Sequence, residues 1–232
     1  MRNALFLSLA GLAIAATSMA DARPAGKWRE RIAERIAARS AASTAPAAAA
    51  PQALSYGANP LQVLDFYRAQ STASPAPLVL FVHGGGWKRG SKDNAAGGWK
   101  QVHYPASGYA YASINYRLVP EATVEQQAAD VAAALAHLLK RAEALGIDRS
   151  RVVLMGHSAG AHLVALVGTD EQYLRGAGLS FADVDGVIPI DGAAYDVPAQ
   201  MQDGPKIMQG TYAQAFGSDP ARQRALSPTL QA

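Results

Sequence analysis

Five stretches of this chain carry apolar side chains in strand-like patterns, and the segments between them place their apolar residues at helical intervals. Leu78-Val79-Leu80-Phe81-Val82 and Val152-Val153-Leu154-Met155 are continuous apolar runs, the signature of strands covered on both faces. Leu61 to Tyr67 alternates and predicts an early, partly exposed strand, and Ala110 to Tyr116 predicts another. Gly186 to Ile190 is a fifth apolar strand, running into Asp191-Gly192. Between them, Val124 to Leu145 puts Val131, Leu135, Leu138, Ala142 and Leu145 on one stripe, which predicts a single long helix. His137 falls off that stripe and is expected to face solvent, and Gly146 is expected to end the helix. Strands interleaved with helices predict an α/β sheet whose reacting groups sit beyond the carboxyl ends of the strands.

The first fifth of the chain breaks this pattern. Arg2, the apolar run Ala4 to Ala16 and the small residues of Ser18-Met19-Ala20 read as a signal peptide over residues 1–20, which predicts export to the periplasm or outside the cell. Residues 21–53 follow as a basic helix, with Trp28, Ile32 and Ile36 on one side, and an Ala/Pro-rich tether, SAASTAPAAAAP. Nothing after the leader is long and apolar enough to span a bilayer. Residues 54–232 then have the composition of one globular domain.

Charge changes the picture by exclusion. Residues 23–39 hold six basic and two acidic side chains, whereas residues 40–232 hold 14 basic and 15 acidic. The basic character therefore belongs to the arm, and the folded domain has no electrostatic footprint for nucleic acid. The chain has no cysteine and no His-Glu-x-x-His pattern, so neither a disulfide framework nor a metal site is expected.

The candidate chemistry lies where two apolar runs end. Val152 to Met155 empties into Gly156-His157-Ser158-Ala159-Gly160, after which Leu163, Val164 and Val167 return at helical spacing. A strand turning into a helix at G-x-S-x-G is a nucleophile elbow: Gly156 and Gly160 let two backbone segments cross closely, and the serine is pushed into the open. The plain alternative makes Ser158 a helix N-cap. Leu78 to Val82 empties into His83-Gly84-Gly85-Gly86-Trp87, a glycine triplet suited to turning peptide N–H groups toward a ligand. No phosphate loop can be read across the following Gly90-Ser91-Lys92.

HGGGW and GHSAG, in this order and spacing, together with Asn115-Tyr116-Arg117-Leu118 and Ser227-Pro228, make residues 54–228 resemble the α/β-hydrolase superfamily. The resemblance is to its HGGG-type esterases, the relatives of hormone-sensitive lipase, of bacterial feruloyl-esterase-like lipases and of kynurenine formamidase, and Trp87 favours the last two. It implies a mostly parallel sheet with helices on both faces, small ester substrates and no cofactor. Ser158 would be the nucleophile, and the N–H groups of Ala159 and Gly85, with Gly84 or Gly86, the oxyanion donors. His83 would organise the glycine loop. Such donors each lower an acyl-transfer barrier by roughly 3–4 kcal/mol, and Ala159 has the free amide of a helix start.

The same resemblance asks for an acid and then a histidine after the serine. The one histidine after Ser158 is His162, a single helical turn on, where a supporting role is expected. Asp191 and Asp196 do not match the family's triad acid, so acid and base stay unassigned. The expectation is therefore a C-terminally incomplete α/β-hydrolase domain that self-associates through an uncovered sheet edge. The competing expectation is a catalytically silent exported domain that keeps the cleft and binds an acyl or aryl ligand.

Overall fold

The computed structural model describes residues 50–71, 75–94 and 99–232, all within the unit Pro46–Ala232. The other unit, Met1–Ala45, lies outside them, so the leader and basic helix expected there, and all but the last two residues of the Ala/Pro run, are not described.

Six strands, β1 (Gln52–Ser55), β2 (Val63–Tyr67), β3 (Ala76–Val82), β4 (Ala110–Ile114), β5 (Ile147–His157) and β6 (Gly186–Ile190), form one sheet in the order β1-β2-β4-β3-β5-β6. β1 and β2 are antiparallel to each other, β2 is antiparallel to β4, and β4, β3, β5 and β6 run parallel. Parallel neighbours need crossovers, and these supply the helices: α1 (Lys100–Ala106), α2 (Val124–Lys140), α3 (Ala142–Leu145) and α4 (Ala159–Thr169). α5 (Gln172–Gly176), α6 (Val197–Asp203), α7 (Gln209–Phe216) and α8 (Pro220–Ala225) complete the described chain.

Alternation along the strands sorts side chains onto two faces. Leu64, Leu78, Leu80, Val82, Ala112, Ile114, Val152 and Leu154 bury into the larger core, beneath the packed pair α2 and α4. Tyr67, Val79, Phe81, Tyr111 and Met155 point the other way, where Tyr104 of α1 stacks on Tyr111 and the Lys100 ammonium lies 4.7 Å from the Phe81 ring centroid. Helices thus cover both faces, as expected.

Four local expectations are corrected. β1 starts at Gln52, directly after the Ala/Pro run and inside the 21–53 stretch placed ahead of the domain; Gln52 and Ala53 pair with Phe66 and Asp65 through the backbone, which side-chain composition does not reveal. β2 is buried rather than partly exposed, because β1 covers its outer side and Asp65, the polar residue that made it look half-wet, bonds Lys92 Nζ at 2.7 Å. The long helix is two: Thr123 and Gln126 form a capping box at its start, but Arg141 (φ −107°, ψ 13°) breaks it before α3, and Gly146 ends α3 with φ 70°. His137 is half-buried instead of solvent-facing; burial, then the charges of Arg141 and Lys140, hold its pKa below the usual value. β6 is the edge strand on its side of the sheet, with Ile188 44% and Ile190 37% exposed.

Candidate active site

β5 delivers Gly156, His157 and Ser158 to the carboxyl end of the sheet, and α4 starts at Ala159. The crossing at this turn is too close for side chains. A Cβ on Gly156 would collide with the Gly160 carbonyl and sit 2.7 Å from Ala161 N, and one on Gly160 would run into the Val82 carbonyl and lie 2.5 Å from that of His83. Gly160 is therefore what seats α4 against the end of β3. Ser158 sits at φ 53°, ψ −118°, a conformation that L-residues seldom take. Its N–H donates to Ile190 O at 2.9 Å and its carbonyl accepts from His162 N at 3.1 Å, so the backbone is held from β6 and from α4. Although Ser158 occupies the N-cap position, its side chain caps nothing. The N-cap alternative is thereby set aside, and the hydroxyl lines an open cleft of about 430 Å³.

The glycine loop forms the opposite wall. A Cβ on Gly84 would lie 2.8 Å from His157 O and 3.0 Å from Ser158 Cβ, so the loop abuts the elbow. Gly85 and Gly86 have φ 132° and 62°, which turn the chain back on itself, and Gly85 O accepts from the amides of Lys88 and Arg89. Among the described residues, the N–H groups of Gly84, Gly85, Gly86 and Ala159 have no hydrogen-bond acceptor. Free donors thus stand on both sides of the serine.

Two buried histidines hold this arrangement. His83 stacks on Tyr116 with centroids 4.4 Å apart, donates from Nδ1 to Gly84 O at 2.7 Å, and has its own carbonyl bonded by Tyr116 Oη at 3.0 Å. Burial lowers its pKa, against the hydrogen bond to Gly84. His162 is fully buried: Trp87 Nε1 donates to its Nδ1 at 3.3 Å, and its Nε2 donates to Leu226 O at 2.9 Å. Desolvation brings its pKa down to about 4. With both ring nitrogens engaged away from Ser158, His162 is not placed to take the serine's proton. Of the others, His157 lines the cleft without bonding Ser158, His103 stacks on Trp99, and His137 lies on α2. Ser158 Oγ has no hydrogen-bond partner among the described residues.

The acids after the serine have structural work elsewhere or face solvent. Asp196 caps α6 through Ala199 N at 3.0 Å, Asp219 caps α8, Asp185 accepts from Val152 N at 2.7 Å, and Asp191 is exposed at φ 48°. None of them lines the cleft.

The structure also brings in residues that sequence reasoning missed. Lys88 and Arg89 follow the glycine loop at the lip, and Met208 and Thr211 close the far side. Gly90 passes beneath His83, where a Cβ would meet the ring at 2.5 Å; its place four residues after the triplet was a usable signal. Thr211 and Met208 carried none, because they arrive from 50 residues beyond the elbow on a wall assembled by aromatic packing. Trp87 lies 4.8 Å from Phe216 and 6.1 Å from Tyr212, centroid to centroid, clamping α7 onto the glycine loop.

Against known proteins, the chain matches the BD-FAE family over residues 64–203. It is 37% identical over 123 residues to esterase LipC of Mycobacterium tuberculosis, a match covering 51% of this chain and 30% of that protein. It is 30% identical over 112 residues to kynurenine formamidase of Danio rerio, covering 48% and 36%. The matched segments thus span about a third of these relatives' length. Esterase B of Lactobacillus rhamnosis superposes with a TM-score of 0.59 at 22% identity, over 88% of this chain and 69% of its own, and shows the fold. With that match spanning more than half of its length, and with the glycine loop beside the elbow on an α/β sheet, this chain belongs to the BD-FAE family, within the HGGG-type esterases of the α/β-hydrolase superfamily.

Proposed function

We propose that the domain is a carboxylesterase of small acyl or aryl esters, with its acyl intermediate formed on Ser158. The observation that carries this reading is the placing of unbonded amides, from Gly84 to Gly86 and from Ala159, on both sides of an accessible serine hydroxyl. Ser158 Oγ attacks the ester carbonyl while its proton passes to a base; the carbonyl oxygen becomes an oxyanion and accepts hydrogen bonds from those amides. The intermediate collapses, the protonated alcohol leaves, and water repeats the sequence on the acyl-serine. A cleft of about 430 Å³ suits small substrates. Export through the 1–20 leader belongs to the same proposal, and the N-terminal mass of protein recovered from the periplasm or medium tests it: an intact Met1 would refute it.

No described residue bonds Ser158 Oγ as a base would, and this favours one second reading, a domain that binds its ligand without turning it over. Chemical rescue separates the two. In p-nitrophenyl butyrate hydrolysis, added imidazole is expected to accelerate the wild-type chain well beyond the Ser158→Ala variant, with a butyryl adduct on the Ser158 peptide. Equal acceleration of both, with no adduct, would overturn the esterase reading in favour of the binding domain.

A further inference from the structure

The lip of the cleft carries two positive charges that no carboxylate among the described residues neutralises. Lys88 and Arg89 follow Trp87 on a tight turn, and their own backbone amides donate to Gly85 O at 3.4 and 3.2 Å. That turn fixes both residues beside the glycine loop, and both line the cleft that holds Ser158. Several cations elsewhere are paired, Lys92 with Asp65, Arg117 with Asp130, Arg151 with Asp148 and Arg222 with Glu125, while others, Lys140 and Lys206 among them, stand without a carboxylate partner among the described residues but away from the cleft. Lys88 and Arg89 have no carboxylate partner among the described residues, and no carboxylate lines the cleft.

A solvated surface would explain two exposed cations anywhere else on the molecule. Here their field falls on the space a substrate must enter, bounded by low-dielectric walls that focus it. The two side chains also offer complementary chemistry: the guanidinium presents a planar fork that matches an oxyanion with two parallel bonds, and the ammonium adds a mobile point charge. A neutral ester would leave both unused.

We infer that the preferred substrates are esters whose non-reacting end bears an oxyanion, a carboxylate or a phosphate-type group, held by Lys88 and Arg89 while the ester carbonyl faces Ser158. This rests on Ser158 being the reacting centre of the cleft. The remote charge would orient the ester, converting binding energy into positioning of the carbonyl.

Two measurements on the full chain test it, one independent of turnover. In the first, binding of methyl butyrate, monomethyl glutarate and the corresponding phosphonate is followed by ligand-observed NMR titration. Monomethyl glutarate or the phosphonate is expected to bind about tenfold more tightly than methyl butyrate, on the scale of one partly desolvated charge-assisted hydrogen bond. Whichever anion binds better names the group. The preference should shrink with added salt, collapse in a Lys88→Ala/Arg89→Ala double variant and invert toward a cationic ester in Lys88→Glu/Arg89→Glu. Lys140→Ala, an exposed cation on α2 away from the cleft, should keep it. In the second, acylation of Ser158 by p-nitrophenyl butyrate is compared with that by the mono-p-nitrophenyl ester of glutarate, and the same ratio should appear. Equal binding of neutral and anionic ligands, or a preference surviving in a folded double variant, would overturn the inference. Selective binding without any acylation of Ser158 would instead leave the charge selectivity standing and count against the esterase reading.

Discussion

Ser158 stores strain that its neighbours impose. At φ 53°, ψ −118° a side chain crowds its own backbone, and such a position costs on the order of 1–3 kcal/mol. It persists because Ile190 O, His162 N and the Gly156/Gly160 crossing leave the turn nowhere else to go. Removing the Cβ should release part of that cost, whereas removing only the hydroxyl should not. Ser158→Gly is accordingly expected to be more stable than Ser158→Ala by about 1 kcal/mol, after allowance for the greater freedom of glycine in the unfolded chain. Urea unfolding of the two variants reads this directly, and equal midpoints and slopes would mean that the elbow is unstrained.

Between elements, His162 ties three pieces together: it stands on α4, accepts from Trp87 at the end of the glycine loop and donates to Leu226 after α8. This is why a helix four-residue repeat places it near the serine yet it serves the scaffold. Its neutral form is the one these bonds need, and its folded pKa of about 4 lies below the reference of 6.5. Between those values the unfolded chain holds more protons than the folded one, so the contribution is fully present above pH 6.5. It declines as pH falls toward 4, by on the order of 3 kcal/mol in all. His83 pulls in the same direction. His162→Gln is expected to flatten the fall in unfolding free energy between pH 6.5 and 4 relative to the wild type, whatever its stability at neutral pH. An unchanged slope would show that His162 does not carry this pH dependence.

Across the whole molecule, the sheet is asymmetric. β1, the edge strand on one side, is four residues long, and β6, on the other, has no strand beyond it among the described residues and is flanked by Ile188 and Ile190, both more than a third exposed. Such an edge pairs readily with a second copy. The chain is expected to self-associate with rising concentration in light scattering, and Ile188→Lys, which puts a charge on the open edge, should shift it toward monomer. A wild type that stays monomeric and monodisperse would show the edge to be inert.

The amino-acid sequence by itself determined what depends on near neighbours. The elbow was legible because Gly156, Ser158 and Gly160 act on one another across a single turn, with an apolar run before it and helical spacing after it. The glycine loop and the Gly146 helix stop were legible for the same reason, since φ > 0 and close approach are demands that only glycine meets cheaply. Tertiary structure alone decided which surfaces those elements would meet. Periodicity records that a residue is apolar, not what lies against it, so it could not foresee β1 covering β2 or Lys92 drawing Asp65 inside. Nor could it place Met208 and Thr211 across from Ser158, since that wall depends on Trp87, Tyr212 and Phe216 meeting over more than a hundred residues of chain. The charge of the cleft belongs to the same class: Lys88 and Arg89 were visible as two basic letters, and only the turn bonded to Gly85 O set them on the cleft that holds Ser158.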